Sequence, residues 1–155
     1  YANKETLKNL MNKYDYCFFG GKGYVPILKG NLIKENFSLV KKNDKIQIKT
    51  FYVNHGEIKS TAYVAGKLAY ISDTNGISNK DLFKLKGLKY LVIDCLKINS
   101  HQSHFNMEEA IKVSRKVKAK KTIFTNLHSD LDYNILKKKL PKNIIPAFDG
   151  MTLNI

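Results

Sequence analysis

The sequence predicts an α/β fold, a mixed sheet with helices on one face, and three observations lead there. Residues 31 to 73 keep an apolar period of two, and residues 74 to 148 alternate helical with strand-like stretches. The chain of 155 residues is also rich enough in core formers, 43% hydrophobic and 11% aromatic, to bury them. Strands followed by β-α units imply one sheet with an antiparallel and a parallel part, packed further against a layer not wholly present in this chain.

The elements follow in order. Leu7, Leu10, Met11 and Tyr14 recur at i, i+3, i+4 and i+7, which predicts a surface helix over 5–14. Residues 15–30 mix aromatics with Gly20, Gly21, Gly23 and Pro26 and read as a loop. Its GGKG lacks the spacing that wraps backbone N–H groups round a phosphate. Strands are then expected from Leu32/Ile33 to Val40, through IQIKTFYV (46–53), in TAYVAG (61–66) and in KLAYISD (67–73), with Ala65-Gly66-Lys67 as the turn between the last two. Ser78 can cap a short helix that Gly87 closes, and YLVIDC (90–95) is near-continuously apolar, as a doubly covered strand should be. Asn106 and Glu109 make a partial capping box for a helix presenting Met107, Ala110, Ile111, Ser114 and Val117. Strand KTIFTN (121–126), a helix over 130–140 stopped by Pro141, and two short strands, NIIPAF (143–148) and MTLNI (151–155), complete the reading.

Charge adds less than its size suggests. The 27 Lys+Arg exceed the 13 Asp+Glu to give a formal +14, but Arg115 is the single arginine. Specific recognition of phosphate or guanine favours the planar fork of arginine. Lys, Asn and Ile are also the residues of AT-rich codons, a bland account of the same excess. An anionic substrate is the favoured partner, and nucleic acid is allowed by the charge but not favoured. No apolar run approaches the roughly 20 residues that cross a bilayer, and the N-terminus lacks a secretory pattern, so the expectation is a cytoplasmic protein without a membrane partner. Cys17 and Cys95 form neither a disulfide framework nor a CxxC pair and are read as reduced. The first residue is Tyr1 rather than Met, which suggests the later part of something longer.

The four histidines, His55, His101, His104 and His128, each lie just past a predicted strand, in VNHG, NSHQSH and TNLH. Asp73 ends KLAYISD and joins them. Imidazole and carboxylate are the usual ligands of zinc and similar ions, and layered folds assemble sites from loops at strand ends. Ordinary turn residues are the competing reading, since Asn, Asp, Ser and His are common after strands. Asp94, closing LVIDC, and Asp149, in an Asp-Gly turn, read first as hydrogen-bonded structural carboxylates, with support of a metal ligand as the sharper option. Ser100 and Ser103 beside His101 and His104 lack the elbow of a serine nucleophile.

VNHG (53–56), LAYISDTNGIS (68–78), LVIDC (91–95), SHFNMEEAI (103–111), TIFTNLHSDLDY (122–133) and PAFDGM (146–151), in this order, resemble the metallo-β-lactamase superfamily. Within it they resemble the branch containing phosphoribosyl cyclic phosphate phosphodiesterase, a relative of ribonuclease Z. The resemblance implies the C-terminal part of an αββα sandwich, with 1–155 as a single partial domain whose N-terminal part is absent. It implies His55 as a metal-ligating histidine, Asp73 as a carboxylate bridging two divalent ions (Zn or Mn), and His104 as the catalytic histidine near the scissile phosphate. In that branch the last metal-binding histidine directly follows the threonine of the strand that KTIFTN matches, whereas here Asn126 follows Thr125 and His128 comes two places later. Because an amide is a weaker ligand than imidazole for a borderline metal, His128 on a shifted loop is favoured over Asn126.

The superfamily's H-x-H-x-D-H motif does not occur in the chain. The implied activity is metal-dependent hydrolysis, most readily of a small phosphodiester, by water activated between two ions about 3.5–4 Å apart. With that motif missing, this chain is expected to be inactive or weakly active. The same metals could serve a carboxylic ester, thioester or lactone. A basic nucleic-acid-binding module without catalysis is the reading from a different class, and a homodimer is admitted.

Overall fold

The computed structural model describes residues 1–41 and 43–155, the side chain of Lys41 excepted. Seven strands form one sheet whose spatial order is their order in the chain, β1-β2-β3-β4-β5-β6-β7. They are β1 (Asn36–Lys41), β2 (Asp44–His55), β3 (Ile58–Ala65), β4 (Leu68–Ile71), β5 (Tyr90–Asp94), β6 (Lys121–Thr125) and β7 (Ile144–Pro146). The first four pair antiparallel and the last four parallel, sharing β4. Two-residue turns explain the antiparallel half: Gly56-Glu57 joins His55 to its partner Ile58, and Gly66-Lys67 joins Ala65 to Leu68. Gly56 and Gly66 sit at φ +60 and +55, the left-handed backbone that such hairpins need.

Register decides the faces. Phe51 opposes Ala62, Val64 opposes Ala69, Ala69 opposes Leu91 and Ile93 opposes Phe124, so these side chains line one surface. That surface is the core, closed by Leu85, Leu88, Ala110, Val117, Leu136 and Leu140 from the helical connections. Full burial of each large side chain in it stabilises the fold by roughly 1.5–3 kcal/mol. On the opposite surface Tyr52 and Tyr70 are exposed. Strand β5 is buried on both faces, as its unbroken apolar run predicts.

The parallel half is linked by α3 (Asn79–Lys84), α4 (Met107–Val117) and α5 (Tyr133–Lys139). Ser78 caps α3 on Asp81 N. On α4 both halves of the capping box are present, Asn106 Oδ1 accepting from Glu109 N and Glu109 Oε2 from Asn106 N, each at 2.9 Å. Lys118 ends it in the left-handed conformation. Buried Ser114 reaches from α4 to Thr122 on β6 at 2.8 Å, pairing two hydroxyls that would otherwise be stranded in the core. Asn106→Ala should cost about 1 kcal/mol, read as a lower urea midpoint at unchanged slope.

Four expectations are corrected. Residues 15–30 are not all loop: α2 (Asp15–Phe19) follows α1 (Lys4–Lys13) after one residue, Tyr14, and ends at Gly20, φ +68. Strand β1 begins at Asn36 rather than Leu32, although Leu32 makes a bridge with Ala2. Helix α5 begins at Tyr133 because Asp132 caps it, accepting from Ile135 N at 2.9 Å. Residues 151–155 form no strand. The Asp149-Gly150 turn leads the chain out of the ladder, and Lys89 Nζ holds the Asn154 carbonyl at 2.6 Å.

Both cysteines are free, and burial pushes the Cys95 thiol up to about 12, which keeps it unreactive. No helix among the described residues is long and apolar enough to cross a membrane.

Candidate metal centre

Because β2, β4, β5 and β6 run in one direction, their C-terminal ends share one edge of the sheet. His55 is the last residue of β2, Asp73 lies two beyond β4, Asp94 ends β5 and Asn126 follows β6. Topology alone therefore gathers residues that are 71 positions apart in the chain, from 55 to 126. Asp73 and Asn126 both adopt positive φ, +53 and +60, and Asp and Asn are the side chains that tolerate it best. The left-handed turns aim the two at each other, Asn126 Nδ2 donating to Asp73 Oδ1 at 3.1 Å.

His55, Asp73 and His104 each offer a donor atom, and these atoms lie within 4.8 Å of one another. The partners of the imidazoles fix their tautomers. His55 Nδ1 is 2.8 Å from the Ser103 carbonyl, which can only accept, so Nδ1 carries the proton and the Nε2 lone pair is free. His104 Nδ1 is 2.8 Å from Asp94 Oδ2, which by the same reasoning leaves Nε2 available. Supporting the second nitrogen in this way is how metal-binding histidines are usually oriented. Two imidazole nitrogens and a carboxylate converging at this separation fit a divalent ion of the zinc, manganese or iron type.

The loop carrying His104 is sewn to the β2–β3 turn. Asn75 accepts from Gly56 N at 3.2 Å and donates to the Gln102 carbonyl at 2.7 Å. A Cβ at Gly56 would lie 3.1 Å from that of Ser103, so a larger residue would press on the loop. Asp94 is fully buried, and burial pushes its carboxyl above the ordinary carboxylate value against the opposing hydrogen bonds of Thr74 N and His104. Both bonds fall on Oδ2, at 2.9 and 2.8 Å, and among the described residues Oδ1 is the buried side-chain atom without a partner.

The remaining sequence candidates lie around this cluster or away from it. His101 stands beside His104, ring centroids 5.2 Å apart, and burial with the nearby Lys97 charge lowers its pKa. Its Nδ1 faces Ser103 N and Oγ at 3.3 Å rather than the cluster. His128 is not brought to the cluster: it is exposed, its Nδ1 3.1 Å from Asp130 Oδ2. The left-handed turn at Asn126 sends the chain outward before residue 128, so Asn126 occupies the edge position next to Asp73. Asp149 is exposed in its turn, beside a groove of about 640 Å³ that Asn126, Tyr133 and Phe148 also line. Sequence reasoning missed Thr74, Asn75 and the Ser103 carbonyl; a backbone amide and a carbonyl carry no residue signature.

Comparison with known proteins agrees with this architecture. A family described as Beta-lactamase superfamily domain matches residues 1–126. A solved diphosphatase of the PhnP family is 26% identical, with a TM-score of 0.85 over 97% of this chain and 55% of that one. Zinc-bound PqqB from Methylobacterium extorquens, 16% identical, shares the fold at a TM-score of 0.69 over 100% of this chain and 61% of its own. An octanoyltransferase of Porphyromonas gingivalis (strain ATCC BAA-308 / W83) is 23% identical over 97% of this chain and 31% of its length. The chain thus spans about a third of that relative and about half of the diphosphatase. With the family match covering most of its length and the mixed sheet in place, the chain belongs to the Beta-lactamase superfamily domain family and has the metallo-β-lactamase fold.

Proposed function

We propose that the chain carries metal-binding and proton-donating residues of a metal-dependent hydrolase acting on a phosphodiester or a similarly anionic substrate. The observation that carries this reading is the convergence of His55, Asp73 and His104 within 4.8 Å at the C-terminal edge of the sheet. The likeness to a diphosphatase at 26% identity supports phosphate over other substrates, and a formal +14 favours the approach of anions.

His55 through Nε2 and Asp73 through a carboxylate oxygen would hold a zinc or manganese ion, and His104 stands beside them with Nε2 left free to carry a proton. Such an ion supplies charge to neutralise phosphate oxygens and acidity to water for in-line attack. The protein's own part is proton management. His104, held at Nδ1 by Asp94, presents Nε2 to the cluster and, when doubly protonated, can deliver that proton to the leaving oxygen. The Asp94 carboxylate stabilises the imidazolium and fixes the ring. With so few donors the ion keeps open positions, and slow turnover is expected of this chain alone.

The test is hydrolysis of bis(p-nitrophenyl) phosphate by the purified chain, with p-nitrophenyl acetate in parallel. Cleavage of the phosphodiester that EDTA stops and Mn or Zn restores is the expected result. Metal-dependent cleavage of the ester alone would move the reading to acyl substrates. Salt-sensitive duplex binding untouched by EDTA, with no cleavage of either compound, would replace it by the nucleic-acid module.

A further inference from the structure

We infer that Asn126 limits the centre formed by this chain to a single ion, because its amide N–H holds the place beside Asp73 that a second ion would take. The inference rests on the metal-centre reading above. Asp73 Oδ1 accepts from Asn126 Nδ2 at 3.1 Å, and Oδ2 accepts from Ser72 Oγ at 3.2 Å. A carboxylate can be shared by two ions through one oxygen or through both, and at Asp73 the second arrangement needs the oxygen that faces β6. Here the oxygen on the β6 side already faces a hydrogen-bond donor.

The orientation of that amide follows from chemistry. An ionised carboxylate only accepts, so the NH₂ end of Asn126 must face it and the amide oxygen must point away. An imidazole nitrogen or a second carboxylate at 126 would instead turn a lone pair toward Asp73. Two electron-rich groups at that separation are drawn together by a cation between them, whereas the Asn126 N–H supplies the positive end of a dipole itself. Its position is set by backbone: residues 73 and 126 lie just beyond β4 and β6, with β5 between, and both take left-handed φ. No other group compensates, since His55, Asp73 and His104 are the one donor set of this kind among the described residues, and His128 is turned out to Asp130.

The experiment is isothermal titration of the purified chain with Mn, and separately with Zn, together with metal content after gel filtration. One equivalent per chain is expected. Asn126→Asp is the informative variant: it is isosteric, tolerates positive φ and replaces the N–H by an anionic oxygen ligand. It should take up a second equivalent, and Asn126→His should do the same with a stronger gain for Zn than for Mn. Two equivalents in the unaltered chain, both lost in Asp73→Ala, would overturn the inference and leave the metal reading intact. So would a single equivalent in both variants when their circular dichroism is native. No uptake by the unaltered chain, unchanged by Asp73→Ala, would overturn both.

Discussion

Asp73→Ala should abolish divalent-ion uptake and with it any EDTA-sensitive hydrolysis. Asp73 is the anion of the cluster, and without it an ion would find only the His55 imidazole, with His104 beside it. Losing a supporting residue of a metal site typically weakens binding 10–100-fold, and losing the carboxylate itself should exceed about 100-fold. The fold should tolerate the change. Asp73 is half-buried, and its side-chain bonds run to Ser72 and Asn126 at the sheet edge rather than into the core. Thermal scans separate the two effects. At an ion concentration about 100 times Kd the unaltered chain should gain roughly 2.7 kcal/mol, while the variant's transition should not move with added ion. An ion-dependent shift that survives in Asp73→Ala would remove the carboxylate from the site.

The second large effect is expected at Asp94. In Asp94→Asn the amide oxygen can still accept from Thr74 N and His104 Nδ1, which both bond to Oδ2 in the parent, and the NH₂ takes the place of the partnerless Oδ1. The local geometry should therefore persist. What is lost is the negative charge behind His104, so its imidazolium form is no longer stabilised and proton donation should fall by about 10²–10⁴ in turnover. Substrate KM should change little, because Asp94 is fully buried and acts through His104.

Stability should respond in the opposite sense. Burial raises the Asp94 carboxyl above its ordinary value, so between the unfolded and folded values the native state holds the extra proton. In that window the slope of stability with pH is negative, and this group's contribution is lost as pH rises through the folded pKa. Asp94→Asn should lack that loss, visible as a flatter urea midpoint against pH on the acidic side of neutrality. A variant that loses activity and stability together at every pH would reduce Asp94 to a structural residue.

Much of the fold was legible because local and global signals agree. The period-two run of β2 and β3, the apolar run of β5 and the Asn106/Glu109 box each name one conformation and occur where the sheet or core requires it. The parts that misled are those where a short-range pattern met a backbone turn. MTLNI looks strand-like, yet Gly150 at φ +86 has already taken the chain off the ladder. DYCFF is surrounded by loop chemistry, but α1 runs almost directly into it.

The site shows the same division. Strand ends pointed to His55, Asp73 and His128, of which the structure gathers the first two; His104 was singled out by the family resemblance, as a catalytic histidine, and lies with them. The choice between Asn126 and His128 followed ligand chemistry, in which imidazole outranks an amide. Position 126 has positive φ, a property of the turn that no ligand preference encodes, and this decides which residue meets Asp73.

The strand order carries a kinetic consequence. Every strand hydrogen-bonds to its neighbour in sequence, so this sheet can extend one strand at a time as the polypeptide leaves the ribosome. Asp73, by contrast, meets Asn126 across 53 residues, and that contact forms only when β6 has docked. The sheet should then be nearly built before the ion can be captured, and metal should slow unfolding more than it speeds folding.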